Sequence, residues 1–102
     1  MFLIFWEFIV KEEMSREFEL HYNANGTWAK FFRNGNGYLE TELLKDVGTE
    51  RRYITIDKWI SEEAFKTFRE ENLNEYKMID IECEKLTEFE NHLGSFSTRL
   101  EV

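Results

Sequence analysis

Asp57 and Trp59 have the residue types and the spacing of a reaction site. They sit two positions apart in the segment from Tyr53 to Ile60, so an extended chain puts them on one face. A carboxyl held in apolar surroundings has a raised pKa and can take a proton from a substrate as a general base. The same acid can equally lie on a wet face, paired with a lysine. Trp59 closes its strand just before a helix cap, which suits a pocket wall; a plain core tryptophan has the same pattern. His21, one position before Tyr22 on a helix, is the second candidate for removing a proton. Tyr22, Trp28 and Phe32 can form an aromatic wall for a flat ligand, or simply a helix packing stripe. Tyr76 can offer a phenol to a ligand or staple its helix.

Other chemistries find little support. The histidines are His21 and His92, with no H-x-x-x-H or H-E-x-x-H spacing, and Cys83 is alone. No metal site and no internal disulfide are expected. There is no G-x-G-x-x-G, Walker loop or nucleophile elbow. Asn34-Gly35-Asn36-Gly37 has the glycine content of a phosphate cradle but precedes a strand, and reads as a turn. The 102 residues carry 21 acidic against 13 basic groups, a net charge of -8. That sign disfavours nucleic acid and anionic membrane surfaces as partners. The run from Phe2 to Val10 is too short to span a bilayer and has no basic residues before it. The expectation is a cytoplasmic protein.

These residues need elements to hold them. Phe2, Ile4, Trp6, Phe8 and Val10 share one face of a first strand, and Leu3, Phe5, Glu7 and Ile9 the other. Both faces are greasy, so both must be covered. Ser15 is placed to cap a helix with Phe18, His21 and Tyr22 on its inner stripe. A break at Asn23–Gly26 precedes a short helix with Trp28, Ala29 and Phe32. Gly37–Lys45 and Arg51–Ile60 are predicted strands around a turn at Asp46–Gly48. In the former, Leu39, Thr41 and Leu43 alternate with Tyr38, Glu40 and Glu42. Ser61 is an N-cap with Glu62 and Glu63 against the helix dipole. A further helix after Asn72 shows Tyr76, Ile79, Cys83 and Leu86 on one side. Thr87 to Glu90 has the T-x-x-E form of a capping box and predicts a last helical turn or two, ending at Gly94. Phe96, Thr98, Leu100 and Val102 then alternate as a final strand.

The result is one α+β domain over residues 1–102, ordered β–α–β–β–α–β. Its helices cover one face of a four-stranded antiparallel sheet, and the other face implies a second copy of the chain.

Four stretches carry a family resemblance. F-E-x-x-Y-x-x-x-G-x-W-A-x-x-F runs from Phe18 to Phe32, and G-Y-x-x-T-E-L-L-x-D from Gly37 to Asp46. Y-I-T-I-D-x-W-x-S-x-x-A-F runs from Tyr53 to Phe65, and C-E-x-L-T-x-x-E-x-x-L-G-x-F from Cys83 to Phe96. The chain resembles the antibiotic biosynthesis monooxygenase family. The resemblance implies a ferredoxin-like fold that dimerises into an α/β barrel, with a pocket between helices and sheet. It implies oxidation of an aromatic or quinol-like substrate by dioxygen, with no flavin or metal cofactor. A related branch binds and degrades haem. There a tryptophan matching Trp59 lines the pocket, with an asparagine on the first strand and a histidine on a following helix. This chain has Trp6 and Glu7 near the first of those places and Arg69 about the second, so haem ligation in that manner is not expected.

Two functions of different class lead, and haem handling is a third, weaker option. One is a cofactor-independent monooxygenase with Trp59, Trp28, Tyr22, Phe32, Trp6 and Tyr76 around the substrate and Asp57 or His21 taking the proton. The other is a non-catalytic dimeric module that binds a small apolar ligand.

Overall fold

The structure, a computed structural model, describes residues 1–99. The elements are β1 (Phe2–Val10), α1 (Ser15–Tyr22), α2 (Thr27–Phe32), β2 (Tyr38–Lys45), β3 (Arg52–Trp59), α3 (Glu62–Glu71), α4 (Leu73–Glu84) and β4 (Thr87–Ser97). The sheet order is β2-β3-β1-β4, and the paired strands are antiparallel. This is the α+β ferredoxin-like arrangement. β1 lies inside the sheet, hydrogen-bonded to β3 on one side and β4 on the other.

The period-two pattern of β1 sets the layers. Phe2, Ile4, Phe8 and Val10 are buried on the inner face against the helices. There Phe8 meets Phe18 and Tyr22, and Phe2 meets Phe65. Leu3, Phe5, Glu7 and Ile9 alternate with them and face away.

Local signals account for several boundaries. The Ser61 hydroxyl accepts from Ala64 N at 3.1 Å and caps α3 as expected. Asp46 Oδ1 accepts from Gly48 N and Thr49 N and shapes the β2–β3 turn. The break between α1 and α2 needs Gly26, because a Cβ there would fall 2.6 Å from the Leu20 carbonyl oxygen. Ser15, by contrast, is the first helical residue of α1, and its N-cap, Met14, makes no side-chain capping bond.

Two further expectations are overturned. Thr87 to Glu90 opens a strand, not a helix: β4 runs from Thr87 to Ser97 beside β1. The inner strand β1 has a second row of backbone donors and acceptors, and satisfying that row outweighs one local cap. The proposed continuation of this strand through Leu100 and Val102 lies outside the described residues. In β2, Tyr38 pairs with Trp59 and Glu40 with Lys58, so Leu39 is an extra residue, a β-bulge. The bulge reverses the alternation before it. Tyr38 turns to the inner face beside Trp59, while Leu39 is left 48% exposed.

Candidate functional site

The helices do not seal the inner face. A cavity of about 150 Å³ remains between them and the sheet. Six aromatic side chains line it: Trp6 and Phe8 from β1, Tyr22 from α1, Trp28 and Phe32 from α2, and Tyr76 from α4. The rings support one another, with Trp28 5.1 Å from Tyr76 and 5.6 Å from Phe32 between centroids. Phe18 stacks at 4.2 Å behind Tyr22.

The polar part of the wall comes from other elements. Thr41 on β2, and Thr55 and Asp57 on β3, face in from the sheet, and Arg69 on α3 and Asp80 on α4 face them. Glu90 on β4 is an exposed residue at the cavity wall.

Asp57 is the most perturbed acid of the set. Burial pushes its carboxyl up to about 6, against the opposing pull of a hydrogen bond from Thr41. Thr41 is its cross-strand partner in the sheet register and donates to Oδ1 at 2.7 Å. A hydroxyl has one hydrogen, so the contact between Tyr38 Oη and Thr41 Oγ1, also 2.7 Å, must have Tyr38 as donor. Oδ2 is left without a protein partner among the described residues.

Arg69 is the basic side chain in the wall, with its guanidinium 5.1 Å from the Tyr76 ring centroid. Burial raises the Tyr76 hydroxyl to about 12. Burial also raises Asp80 and Glu90, and neighbouring carboxylates push the same way: Glu84 on Asp80, and Asp80 and Glu84 on Glu90. An aromatic wall with three carboxylates and one guanidinium suits a flat, neutral ligand with a hydroxyl to offer. Among the described residues no group of three or more His, Cys, Asp or Glu side chains is arranged to hold a metal ion. No helix among them is long and apolar enough to cross a membrane.

The candidate residues are divided by the fold. Asp57, Trp6, Tyr22, Trp28, Phe32 and Tyr76 face this one cavity. Trp59 and His21 are not in its wall. Trp59 shares the inner face with Asp57 but is fully buried, enclosed by Phe32, Tyr38, Phe65 and Phe68. His21 is half-buried, and its Nδ1 lies 2.8 Å from Thr27 Oγ1, tying the end of α1 to the start of α2.

Phe8, Thr41, Thr55, Arg69, Asp80 and Glu90 were not among the expected site residues. Signals for some of them were present. Asp80 follows Tyr76 by four positions, so a helix puts both on one side. Thr41 follows from Asp57 once the β2–β3 register is fixed. Glu90 was hidden by the helical reading of its segment.

The sequence profile of the antibiotic biosynthesis monooxygenase family matches residues 1–77. The chain belongs to this family. SnoaB from Streptomyces nogalater, a cofactor-independent oxygenase, has a similar structure, with a TM-score of 0.78 at 21% identity, covering 99% of this chain and 95% of that one. A Deinococcus radiodurans protein with the same family assignment superposes with a TM-score of 0.74 at 13% identity, covering 100% and 96%. An arginine-to-serine variant of MhuD, with two manganese protoporphyrin IX molecules bound per active site, gives 0.64 at 21% identity, covering 100% and 98%. At these identities the likeness is one of fold. No curated protein sequence matches the chain.

Proposed function

We propose that the protein is a cofactor-independent monooxygenase for a small phenol or quinol, with Asp57 as the general base. The observation that carries this reading is a half-buried carboxylate in the wall of an aromatic cavity, raised to about 6 by burial, with one oxygen left without a protein partner among the described residues. A base is most useful when its pKa lies near the working pH, and burial has brought Asp57 there. Family membership and the description of SnoaB as a cofactor-independent oxygenase support the reaction class.

In this reaction Asp57 takes the hydroxyl proton of the substrate. The electron-rich phenolate then reduces dioxygen, and a carbon–oxygen bond forms at a ring carbon. The hydroperoxide loses the hydrogen of that carbon and its outer oxygen as water, leaving a quinone. One oxygen atom ends in the product and the other in water, and the substrate supplies all the electrons. The chain's part is to hold the ring flat among Trp6, Tyr22, Trp28, Phe32 and Tyr76, to keep water out, and to accept and return one proton.

Size and charge restrict the ligand. A cavity near 150 Å³ takes about one benzene-sized ring. Larger polycycles must project through the mouth, and a porphyrin does not fit within it. Neither histidine is in the wall to ligate an iron. Asp57, Asp80 and Glu90 oppose an anionic ring, so a benzoate is expected to bind at least about tenfold more weakly than a phenol of the same outline. Competition against an environment-sensitive phenol measures the ratio, and equal affinities would count against Asp57 facing the ligand as a carboxylate. The function itself is tested by oxygen uptake with a panel of hydroquinones and naphthoquinols. No uptake above a boiled control for any of them would overturn the reading.

We further propose that the chain works as a homodimer joined through the outer sheet face. Leu3, Phe5 and Ile9 of β1 alternate with its buried residues and face outward. Across the sheet, Ile54 and Ile56 pair with β1 residues of that face, and Leu44 pairs with Ile54. Phe96 sits edge-on to Phe5 at 5.4 Å and is 53% exposed. The charges on this face are already paired, Arg52 with Glu7 at 2.7 Å and Asp46 at 2.9 Å, and Lys58 with Glu40 and Glu42. A broad apolar sheet face with neutralised ions suits self-association better than open water. Sedimentation at micromolar concentration is expected to show a dimer, and Phe5→Glu a folded monomer. A well-folded wild-type monomer at that concentration rules the assembly out.

A further inference from the structure

We infer that Tyr38 and Thr41 are positioning residues for Asp57, and that the bulge at Leu39 is the device that brings them into line. The inference rests on the assignment of Asp57 as the base and extends it to the groups behind the carboxylate.

In a regular strand, residues three apart point to opposite faces. Tyr38 and Thr41 are three apart and yet both face inward, because Leu39 is inserted between the pairs Tyr38–Trp59 and Glu40–Lys58. Without the bulge, Tyr38 would point out of the domain and its hydroxyl could not reach Thr41. With it, two hydroxyls line up behind the carboxylate, each contact 2.7 Å long. Bulges beside sites commonly re-aim a side chain in this way.

The order of the hydrogens gives the chain a direction. Tyr38 donates to Thr41, and Thr41 donates to Asp57 Oδ1. Donors in series polarise one another and favour the anion at their end. They also fix the carboxylate's rotation, so that Oδ2, with no protein partner among the described residues, is the oxygen offered to a substrate. Thr41 is 3% exposed, so water is poorly placed to substitute for it. Trp59 and Phe32 hold the Tyr38 ring, with centroids 5.3 and 5.7 Å away. From its closed core position Trp59 thus supports the site through Tyr38 rather than by touching the ligand.

Other groups also bear on the charge of Asp57. Arg69 on α3, Tyr76 and Asp80 on α4, Tyr22 on α1 and Glu90 on β4 line the same cavity. Arg69 favours the anion, while Asp80 and Glu90 oppose it. None of them bonds directly to Oδ1; Thr41 does.

The test follows the Asp57 carboxyl carbon by NMR through a pH titration, which needs no substrate. Thr41→Val keeps the shape and removes the donor. It is expected to move the Asp57 midpoint upward by about one pH unit, a tenfold change in the proton equilibrium. Thr41→Ser is expected to restore the wild-type midpoint, and Tyr38→Phe to shift it partway in the direction of Thr41→Val. A midpoint unmoved by Thr41→Val, in a protein whose spectrum shows the native fold, overturns the inference. If Asp57→Asn abolishes oxygen uptake while Thr41→Val leaves the midpoint alone, the positioning role fails and the base assignment stands. If Thr41→Val moves the midpoint but Asp57→Asn retains full uptake, the base assignment fails and the hydroxyl chain stands.

Discussion

Asp57→Asn is expected to lower oxygen uptake on a phenolic substrate by about 10²–10⁴-fold, the range general-base catalysis supplies. The amide keeps the shape of the carboxylate, and its oxygen can still accept from Thr41, so the cavity should persist. The same change is expected to make the protein more stable at neutral pH. Burial raises the Asp57 pKa from 3.8 to about 6 in the folded state. A carboxyl with a raised folded pKa favours folding fully below its unfolded value and loses that contribution as pH rises through the folded value. Between about pH 4 and 6 the wild type therefore loses roughly 1–3 kcal/mol through this group, and Asn has no charge to bury. Lost turnover with a higher midpoint in urea would separate a catalytic role from misfolding. Retained turnover in the Asn variant would sink the assignment.

Trp59→Ala is expected to remove about 3–5 kcal/mol of stability, the usual cost of deleting a large aromatic from a core. A domain of this size has about 5–15 kcal/mol in total, so the loss is a large share of the whole. Trp59 has no exposed surface and meets Phe32, Tyr38, Phe65 and Phe68 at centroid distances of 5.3–5.7 Å. Gly35 lets the preceding loop lie directly on it, since a Cβ there would be 2.9 Å from the indole edge. Its indole N–H has no hydrogen-bond partner among the described residues. Trp59→Phe therefore loses packing area but also removes a buried unpaired donor, and it should cost much less than the alanine change. Urea unfolding of the two variants gives the comparison, and equal costs would show that ring area is not what Trp59 contributes.

Much of the fold was legible where one residue pattern faced one strong constraint. β1 has apolar residues on both sides, and the structure gives it helices on one face and a half-buried apolar row on the other. Ser61 had a capping role that no tertiary contact contested. The failures came where distant pairing competed with local signals. Thr87 to Glu90 would cap a helix in isolation, but beside β1 it completes the sheet. Tyr38 followed a regular alternation on paper, and a single extra residue undid it.

The candidate site was legible in part for the same reasons. Asp57 and the helix aromatics face in because simple periodicity says so. Trp59 has the right face but lies farther along β3, under Phe32 and the α3 aromatics, where the core is closed. His21 was one helical step from the cavity-lining Tyr22, and that step is enough to turn it toward Thr27. Arg69 and Asp80 are charged, and charged residues read by default as solvated.

The inserted Leu39 makes β2 a strand with two reading frames. Upstream of it odd and even positions trade sides, so a relative one residue shorter here would present the same phenol from two positions before its threonine rather than three. Aligning such chains without opening a gap would compare inward residues with outward ones, and hydroxyls that serve the same oxygen would look unrelated.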